Sequence, residues 1–153
     1  MLDATDLKIL DLLQQDARTA NAEIARQVGL VPSAVLERIR RLEKQGVIEA
    51  YTARVAPKAL GLPLVAFITV RVQERLGSTD TARQLAKLPE VLEIHHVAGE
   101  DCFLVKVRVA DTEDLGRMLR ERFGRIRTIK STRSTIVLET VKETSILPLK
   151  EPG

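Results

Sequence analysis

The segment from Gly29 to Ile48 constrains the fold more than any other part of this 153-residue chain. Its apolar residues recur at helical spacing while its cations fall elsewhere, which predicts a short amphipathic helix starting near Pro32 or Ser33. Pro32 suits the first position of a helix, and Gly46 suits the left-handed residue just past a helix end. The predicted inner stripe is Val35, Leu36, Ile39 and Leu42, and the cations are Arg38, Arg40, Arg41 and Lys44.

A second short helix is predicted immediately before this one, beginning at Asn21. Asn21 is the expected N-cap, and Ile24, Ala25 and Val28 are the expected inner face. Gly29 then ends the helix after about two turns. A short helix, a glycine turn and a basic helix form a helix-turn-helix, whose second helix can enter the major groove of DNA. The alternative is a solvated basic surface helix, and the preceding helix and turn favour the DNA-binding interpretation.

A further helix, from about Asp6 to Gln15, is predicted to complete a three-helix unit, with Asp3 or Thr5 as its cap. Residues 47–55 alternate weakly and predict an extended wing strand. Two prolines and a glycine in residues 56–63 predict a connector. The expected apolar stripe of the first helix is Leu7, Ile9, Leu10 and Leu13.

The composition, with 44% hydrophobic and 29% charged residues, is typical of a soluble globular protein. No apolar run approaches the ~18 residues of a membrane span, and the N-terminus has no secretory pattern. The single cysteine, Cys102, fits a reducing compartment, so we expect a cytoplasmic protein. The net charge of +3 is a weak argument for a nucleic-acid partner, because local rather than total charge steers binding.

The second half of the chain changes to the alternation of strands. The order β-α-β-β-α-β predicts an α+β, ferredoxin-like domain with both helices on one face of a four-stranded antiparallel sheet. We therefore expect a winged helix-turn-helix at 1–55, a connector at 56–63 and this second domain at 64–153. Strands are predicted at 64–73, 91–98, 102–109 and 126–142. The first helix starts near Gly77, with an inner stripe of Ala82, Leu85 and Ala86. The second starts at Asp111, which is its expected cap, and its inner stripe is Leu115, Met118, Leu119 and Phe123.

The other face of the predicted sheet would be open, yet its first and third strands are predicted to be apolar on both faces. Val65 and Phe67, for example, alternate with Ala66 and Ile68. An open apolar face predicts a partner sheet, so we expect a dimer through this domain. A two-fold dimer doubles the DNA-binding helix and calls for a pseudo-palindromic site in double-stranded DNA.

A recognisable set of residues accompanies this domain order. It consists of Leu2, Asp3, Asp6, Ile9, Leu10, Leu13, Asp16–Arg18, Glu23–Ala25, Val28–Leu30, Arg38, Arg41–Glu43, Gly46–Ile48, Tyr51, Val97–Gly99, Lys106 and Glu139–Lys142. Together they resemble the Lrp/AsnC (feast/famine) family of transcription regulators over nearly the whole chain. The resemblance implies a RAM-type second domain, a dimer that assembles into an octamer as a tetramer of dimers, and DNA bent around it. It also implies an amino acid or related small effector bound between dimers.

Two positions depart from the family pattern. Val31 stands where the family usually has a capping Ser, so Ser33 or solvent must satisfy the first N–H groups of the helix. The family's effector turn often ends in Asp-Tyr, whereas Cys102 occupies that Asp position here. The acid that would bind the effector's ammonium group is therefore either moved to Asp101 or absent.

These considerations predict two sets of site residues. For DNA we expect Ser33, Arg38, Arg41 and Lys44, with either arginine able to contact guanine N7 and O6 and the other two holding phosphates. Arg40 is an equal candidate for a salt bridge. For the effector, backbone N–H groups around Gly99 to Asp101 would hold a carboxylate, and Asp101 or a hydroxyl the ammonium group; a plain β-turn is the alternative. The expected effector residues are Gly99, Glu100, Asp101, Cys102, Ser134 and Thr135.

No motif predicts catalysis, a cofactor or a metal. His95 and His96 are adjacent in a strand, so their side chains point to opposite faces and cannot jointly chelate a metal. A rival interpretation is an enzyme similar to the sirohaem decarboxylases, which use His and Arg side chains; one of these histidines with Arg108 could serve. A second rival is an amino-acid sensor that does not bind DNA.

Overall fold

The computed structural model describes residues 2–75, 78–99 and 102–149, which fall into two compact units. The first unit is Met1–Arg54 with Lys142–Gly153, and the second is Val55–Val141. The chain after Val141 thus groups with the helices rather than with the predicted second domain. The Gln14 side chain hydrogen-bonds both the N–H and the carbonyl of Leu147, at 2.7 and 3.1 Å, and Arg54 donates to the Glu143 carbonyl at 2.9 Å.

The first unit contains the three predicted helices: α1 (Ala4–Gln15), α2 (Asn21–Val28) and α3 (Pro32–Lys44). Of the two candidate caps for α1, Asp3 is the cap, because its carboxylate accepts from the Asp6 N–H at 2.8 Å. The prediction that Asn21 caps α2 is wrong. Ala20 is the N-cap and accepts the first helical hydrogen bonds through its carbonyl, while Asn21 lies inside the helix.

Two glycines lie at the C-terminal ends of the two helices of the helix-turn-helix. Gly29 ends α2 at φ 72° and Gly46 follows α3 at φ 69°, both in the left-handed region where a side chain is strained. The turn after Gly29 brings α3 onto a small core shared by the three helices. That core consists of Ile9, Ile24, Ala25, Val35 and Ile39, which are all buried.

The segment after α3 differs from its prediction. Residues 49–56 form no strand in the described structure. The prediction that this wing segment is a strand is therefore wrong. An extended segment needs a partner strand to satisfy its backbone groups, and alternation alone does not supply one. The connector contains a 3-10 turn, Pro57–Leu60, which ends at Gly61 with φ 70°.

The second unit confirms the predicted β-α-β-β-α-β order. Its elements are β1 (Leu64–Val72), α4 (Asp80–Leu85), β2 (Val91–His96), β3 (Phe103–Val109), α5 (Thr112–Glu121) and β4 (Ile129–Ile136). The four strands form one antiparallel sheet in the order β2-β3-β1-β4. Asp111 caps α5 as predicted, accepting from the Asp114 N–H at 2.8 Å. The last strand ends earlier than expected, and Leu138 and Val141 beyond it are exposed.

The core of this unit lies on one face of the sheet, where alternate residues of the two central strands are buried with residues of the helices. They include Ala66, Ile68, Val70, Phe103, Val105, Val107, Val109, Leu85, Leu115, Met118 and Phe123. On α4, Leu85 is buried as predicted but Ala86 is exposed. A buried Thr81 takes part instead, and its hydroxyl lies 2.6 Å from that of Thr128.

The open face of the sheet is more polar than predicted. On β1, Val65 and Phe67 point to this face, but β3 presents Lys106 and Arg108 there beside Leu104, so the expectation that β3 is apolar on both faces holds only at Leu104. Alternation along β3 separates an apolar core side from an open side that is mostly charged. Within the described residues, no helix is long and apolar enough to span a membrane.

Candidate DNA-binding surface and effector cavity

Helix α3 packs on the core through one narrow stripe. Val35, Ile39 and Leu42 are buried, whereas Leu36, which the sequence placed on this stripe, is 36% exposed. Residues spaced by four and three positions share one side of a helix, so the stripe follows that spacing rather than a strict three-residue repeat. Facing away from the core are Ser33, Glu37, Arg40 and Lys44, which are all exposed.

The first turn of α3 has no side-chain cap. Val31 is the N-cap, and its side chain forms no capping hydrogen bond. The Ser33 side chain likewise makes no hydrogen bond to any residue that the structure describes. Of the two alternatives that the sequence left open, solvent therefore satisfies the free N–H groups at this helix end.

Arg38 and Arg41 lie on the flank of α3 that faces α1. Arg38 Nη1 is 2.7 Å from an oxygen of Asp3 and 2.7 Å from an oxygen of Asp6, and Arg41 Nη2 is 2.8 Å from both oxygens of Asp6. The Asp6 side chain is only 1% exposed, so these arginines neutralise a buried charge. Sequence reasoning missed this network, and it considered only Arg40 as an equal candidate for a salt bridge. Arg40 makes no ion pair with the described residues.

The network also shifts the acid–base properties of its members. The hydrogen bond from Arg38 lowers the pKa of Asp3, and the bond from the Asp6 N–H adds to that effect. Reciprocally, the hydrogen bonds to Asp3 and Asp6 raise the pKa of Arg38. The ion pair between Asp3 and Arg38 therefore persists at neutral pH, and the network ties the first turn of α1 to the middle of α3.

The predicted effector turn lies between β2 and β3. Gly99 has φ 117°, which favours glycine, and the Val97 N–H donates to the Cys102 carbonyl at 3.0 Å. Two of the predicted effector residues, Glu100 and Asp101, lie outside the described residues. Gly99 and half-buried Cys102 thus lie on either side of these two residues, between the ends of β2 and β3.

A cavity of about 530 Å³ lies on the open face of the sheet beside this turn. Its lining combines two arginines, three hydroxyl groups and a small apolar wall; the residues are Thr69, Arg71, Val97, Ala98, Leu104, Ser131, Thr132 and Arg133. A cavity of this size and mixed chemistry suits a small polar ligand. The sequence signal that could have identified this cavity is Arg71, a charged residue within the otherwise apolar strand β1.

None of the predicted effector residues that the structure describes is in the cavity's lining, and three of them are close in sequence to residues that are. Gly99 follows Ala98, and Ser134 and Thr135 follow Arg133. Thr135 pairs with Phe67 and lies on the open face, whereas Ser134 pairs with Ile68 and lies on the helix side of the sheet. The structure therefore brings Thr135 to the same face as the cavity and separates Ser134 from it.

The two histidines lie on opposite faces of the sheet, as predicted. His95 pairs with Leu104 on the open face, and its Nε2 is 3.2 Å from Glu93, which Lys106 also contacts at 3.2 Å. The bonds from His95 and then Lys106 lower the pKa of Glu93. His96 lies against the Phe103 ring. Among the described residues, no group of three or more His, Cys, Asp or Glu side chains could hold a metal ion.

Comparison with known proteins assigns both units. A family model described as a winged helix-turn-helix DNA-binding domain matches residues 2–49, and one described as the Lrp/AsnC ligand binding domain matches residues 65–147. The chain belongs to the Lrp/AsnC family. This confirms the resemblance inferred from the sequence, and it identifies the two units as a DNA-binding and a ligand-binding domain.

Individual Lrp/AsnC proteins align over almost the entire chain. The HTH-type transcriptional regulator FL11 of Pyrococcus horikoshii is 40% identical over 97% of each chain. The leucine-responsive regulatory protein of Escherichia coli is 38% identical over 97% of this chain and 92% of its own. Among solved structures, a Neisseria meningitidis transcriptional regulator in complex with L-Met has a TM-score of 0.91 at 32% identity, covering 97% of both chains. Escherichia coli AsnC has a TM-score of 0.90 at 30% identity, covering 97% of this chain and 99% of its own. The chain is therefore a transcriptional regulator of the Lrp/AsnC type.

Proposed function

We propose that this regulator binds a pseudo-palindromic site in double-stranded DNA as a dimer, and that an amino acid bound at the open face of its sheet changes that binding. The observation that carries the proposal is the pairing, in one chain, of an exposed basic helix with a cavity beside the Gly99 turn. The helix supplies the DNA contacts, and the cavity supplies a place for the signal.

The exposed cations of α3 support the DNA part of the proposal. Ser33 and Lys44 lie on its outward face, where phosphates and base edges can approach. Contacts from Arg38 and Arg41 stay predictions; Arg41 keeps 47% of its side chain exposed while paired with Asp6, and Arg38 keeps 26%. A dimer would present two such helices about one turn of DNA apart. Because the two copies are related by a two-fold axis, we expect the two half-sites of the DNA to be related in the same way.

The chemistry of the cavity supports an amino acid as effector. Arg71 and Arg133 can offer charge-assisted hydrogen bonds to a carboxylate, and Val97, Ala98 and Leu104 offer an apolar wall to a side chain. The Neisseria meningitidis relative was solved with L-Met. For the ammonium group we propose the acid at 100 or 101, because it is the nearest carboxylate in sequence to this wall. Selectivity would then depend on the apolar wall, so apolar amino acids are the first candidates.

The open face of the sheet supports assembly. Phe67 and Leu104 are only half-buried there, between charged neighbours, which resembles an interface with an apolar centre and a polar rim. We propose a dimer through this face and, from the family resemblance, an octamer built as a tetramer of dimers. Such an assembly would place the effector cavities close to a second copy of the chain.

The chain acts, in this proposal, by binding rather than by catalysis, and it acts in the cytoplasm where its DNA target lies. The relatives compared above are regulators. For the enzyme alternative, one of the two histidines would have to act with Arg108, and His95 is the one that shares the open face of the sheet with Arg108. No observation favours a decarboxylase or a sensor that ignores DNA.

Calorimetric titration of the full chain with each amino acid tests the effector proposal. We expect one or a few apolar amino acids to bind, and Arg71→Gln to weaken that binding at least ~10-fold because it removes a carboxylate partner. Arg83→Gln, which changes an exposed arginine on α4, is the matched control and should bind normally. Binding by no amino acid, or equal binding by the two variants, would contradict the assignment.

A further inference from the structure

Two of the four cations of helix α3 are paired with buried Asp6, and the other two are exposed without an ion pair among the described residues. This difference indicates which residues contact DNA. We propose that Glu37 and Arg40 contact bases and that Arg38 and Arg41 are positioning residues, which hold the helix on α1 through Asp6. The inference deepens the proposed DNA-binding function and rests on it. The whole outward face in this proposal is Ser33, Glu37, Arg40 and Lys44.

The two arginines on the flank of α3 form ion pairs within the protein. Arg38 and Arg41 donate to Asp6 at 2.7 and 2.8 Å, and Arg38 also reaches Asp3 at 2.7 Å. Moving either guanidinium to DNA would weaken the pairing of a carboxylate that is 1% exposed. An unpaired buried charge is costly, so these arginines remain with Asp6 when the helix meets DNA.

The cations on the outward face are not paired with a carboxylate of the described residues. Arg40 and Lys44 are exposed and make no ion pair with any described residue. The arginine fork matches the O6 and N7 acceptors of guanine, and a Glu such as Glu37 can accept from the cytosine amino group. Lys44, one turn further along, suits a phosphate because its charge is compact and its stem flexible.

The network also explains how the outward face is aimed. A helix on a small core can rotate about its axis, since Val35, Ile39 and Leu42 form only a narrow stripe. Two arginines clamped to Asp6 on one flank oppose that rotation. Asp6 itself is fixed by the capping box at the start of α1, where it accepts from the Asp3 N–H at 3.2 Å. The start of α1 thus sets the angle at which Glu37 and Arg40 leave the protein.

Selection of binding sites from random duplex DNA separates the two roles. Arg40→Gln and Arg41→Gln remove one charge each from adjacent positions and form a matched pair. We expect Arg40→Gln to lose the base preference at one position of each half-site and to bind the site selected by the unmodified chain at least ~10-fold more weakly, with an unchanged unfolding midpoint. We expect Arg41→Gln to select the same sequence and to unfold at a lower temperature.

Two further variants complete the test. If Arg41→Gln does not fold, Arg41→Lys replaces it, because a lysine keeps the charge but cannot reproduce a bidentate contact. Lys44→Gln should weaken binding to all sequences alike and flatten the dependence of affinity on salt. A changed base preference in either Arg41 variant, or an unchanged one in Arg40→Gln, would overturn the inference. Failure of the unmodified chain to select any sequence would instead contradict the proposed function.

Discussion

Tyr51 is the single tyrosine of the chain, so its titration can be followed without interference from another phenol. Its hydroxyl donates to a Glu43 carboxylate oxygen at 2.8 Å. Partial burial, and then the Glu43 carboxylate, raise the pKa of Tyr51 from 10.0 to about 12. Because the folded-state pKa is the higher one, this group contributes stability below about pH 10 and loses it as the pH rises towards 12.

The expected result is an ultraviolet titration in which the phenolate of Tyr51 appears well above its ordinary midpoint. Glu43→Gln should lower that midpoint, because a neutral amide no longer opposes the phenolate charge. Glu37→Gln, on the same helix and without contact to the phenol, should not. An ordinary midpoint in the unmodified chain would contradict the Tyr51–Glu43 bond.

The buried carboxylate of Asp6 gives a stability prediction. Asp6→Asn should lower the free energy of unfolding by about 2 kcal/mol, because two arginines lose a charged acceptor but can still reach water. Asp11→Asn, on the exposed side of the same helix, should change it by less than ~0.5 kcal/mol. Urea unfolding followed by circular dichroism measures both. Equal stabilities of the two variants would show that Asp6 is not a clamp.

At the scale of single residues, local chemistry was predictable and long-range partners were not. Asp111 was predicted as a cap and Asp3 was one of two candidates, since an acid just before an apolar periodic run favours a helix start, although Asn21 proved not to be the cap of α2. The partners of Arg38 and Arg41 lie more than thirty positions away in the chain, and no spacing rule links them to Asp6. The same limit applies to Arg71, whose place in the cavity depends on how strands pair.

At the scale of elements, Gly46 is the most exacting position of the helix-turn-helix. Its φ of 69° lies in the left-handed region, and a side-chain Cβ added there would meet no atom within 4 Å beyond the adjacent residues of the chain. Only backbone strain, therefore, opposes a substitution. Gly46→Val should cost about 1–2 kcal/mol of unfolding free energy, and Gly46→Asn clearly less, because Asn tolerates this conformation. Equal costs for the two variants would show that α3 can end in another way.

Elements with strong periodicity were predicted well, and elements that depend on a partner were not. The stripes of α1 and α5, the stripe of α3 apart from Leu36, and the alternation of β3 follow from spacing alone. The wing segment and the distal part of β4 were predicted as strands, but residues 49–56 and 137–149 adopt no strand among the described residues. Alternation shows that a segment can pair and does not show that a partner lies beside it.

At the scale of the whole molecule, the domain order and the β-α-β-β-α-β arrangement could be predicted, because each half has its own periodicity. The grouping of residues after Val141 with the helical unit could not, because it depends on side-chain bonds such as that from Gln14 to Leu147.

The proposed dimer gives a prediction at this scale. Phe67→Glu should produce a monomer in sedimentation experiments, because it places a charge at the apolar centre of the open sheet face. Gln84→Glu adds the same charge on exposed α4 and should leave the assembly unchanged. If Phe67→Glu sediments like the unmodified chain, the chain does not assemble through this face.

The central claim is that this chain binds specific DNA and that an amino acid alters the binding. The most direct measurement is the affinity of the full chain for the duplex upstream of its own gene, at two salt concentrations, with and without each amino acid. We predict specific binding that weakens steeply as salt rises and shifts with one or a few apolar amino acids. Binding that shows no preference over unrelated duplex DNA, or that no amino acid changes, would contradict the claim.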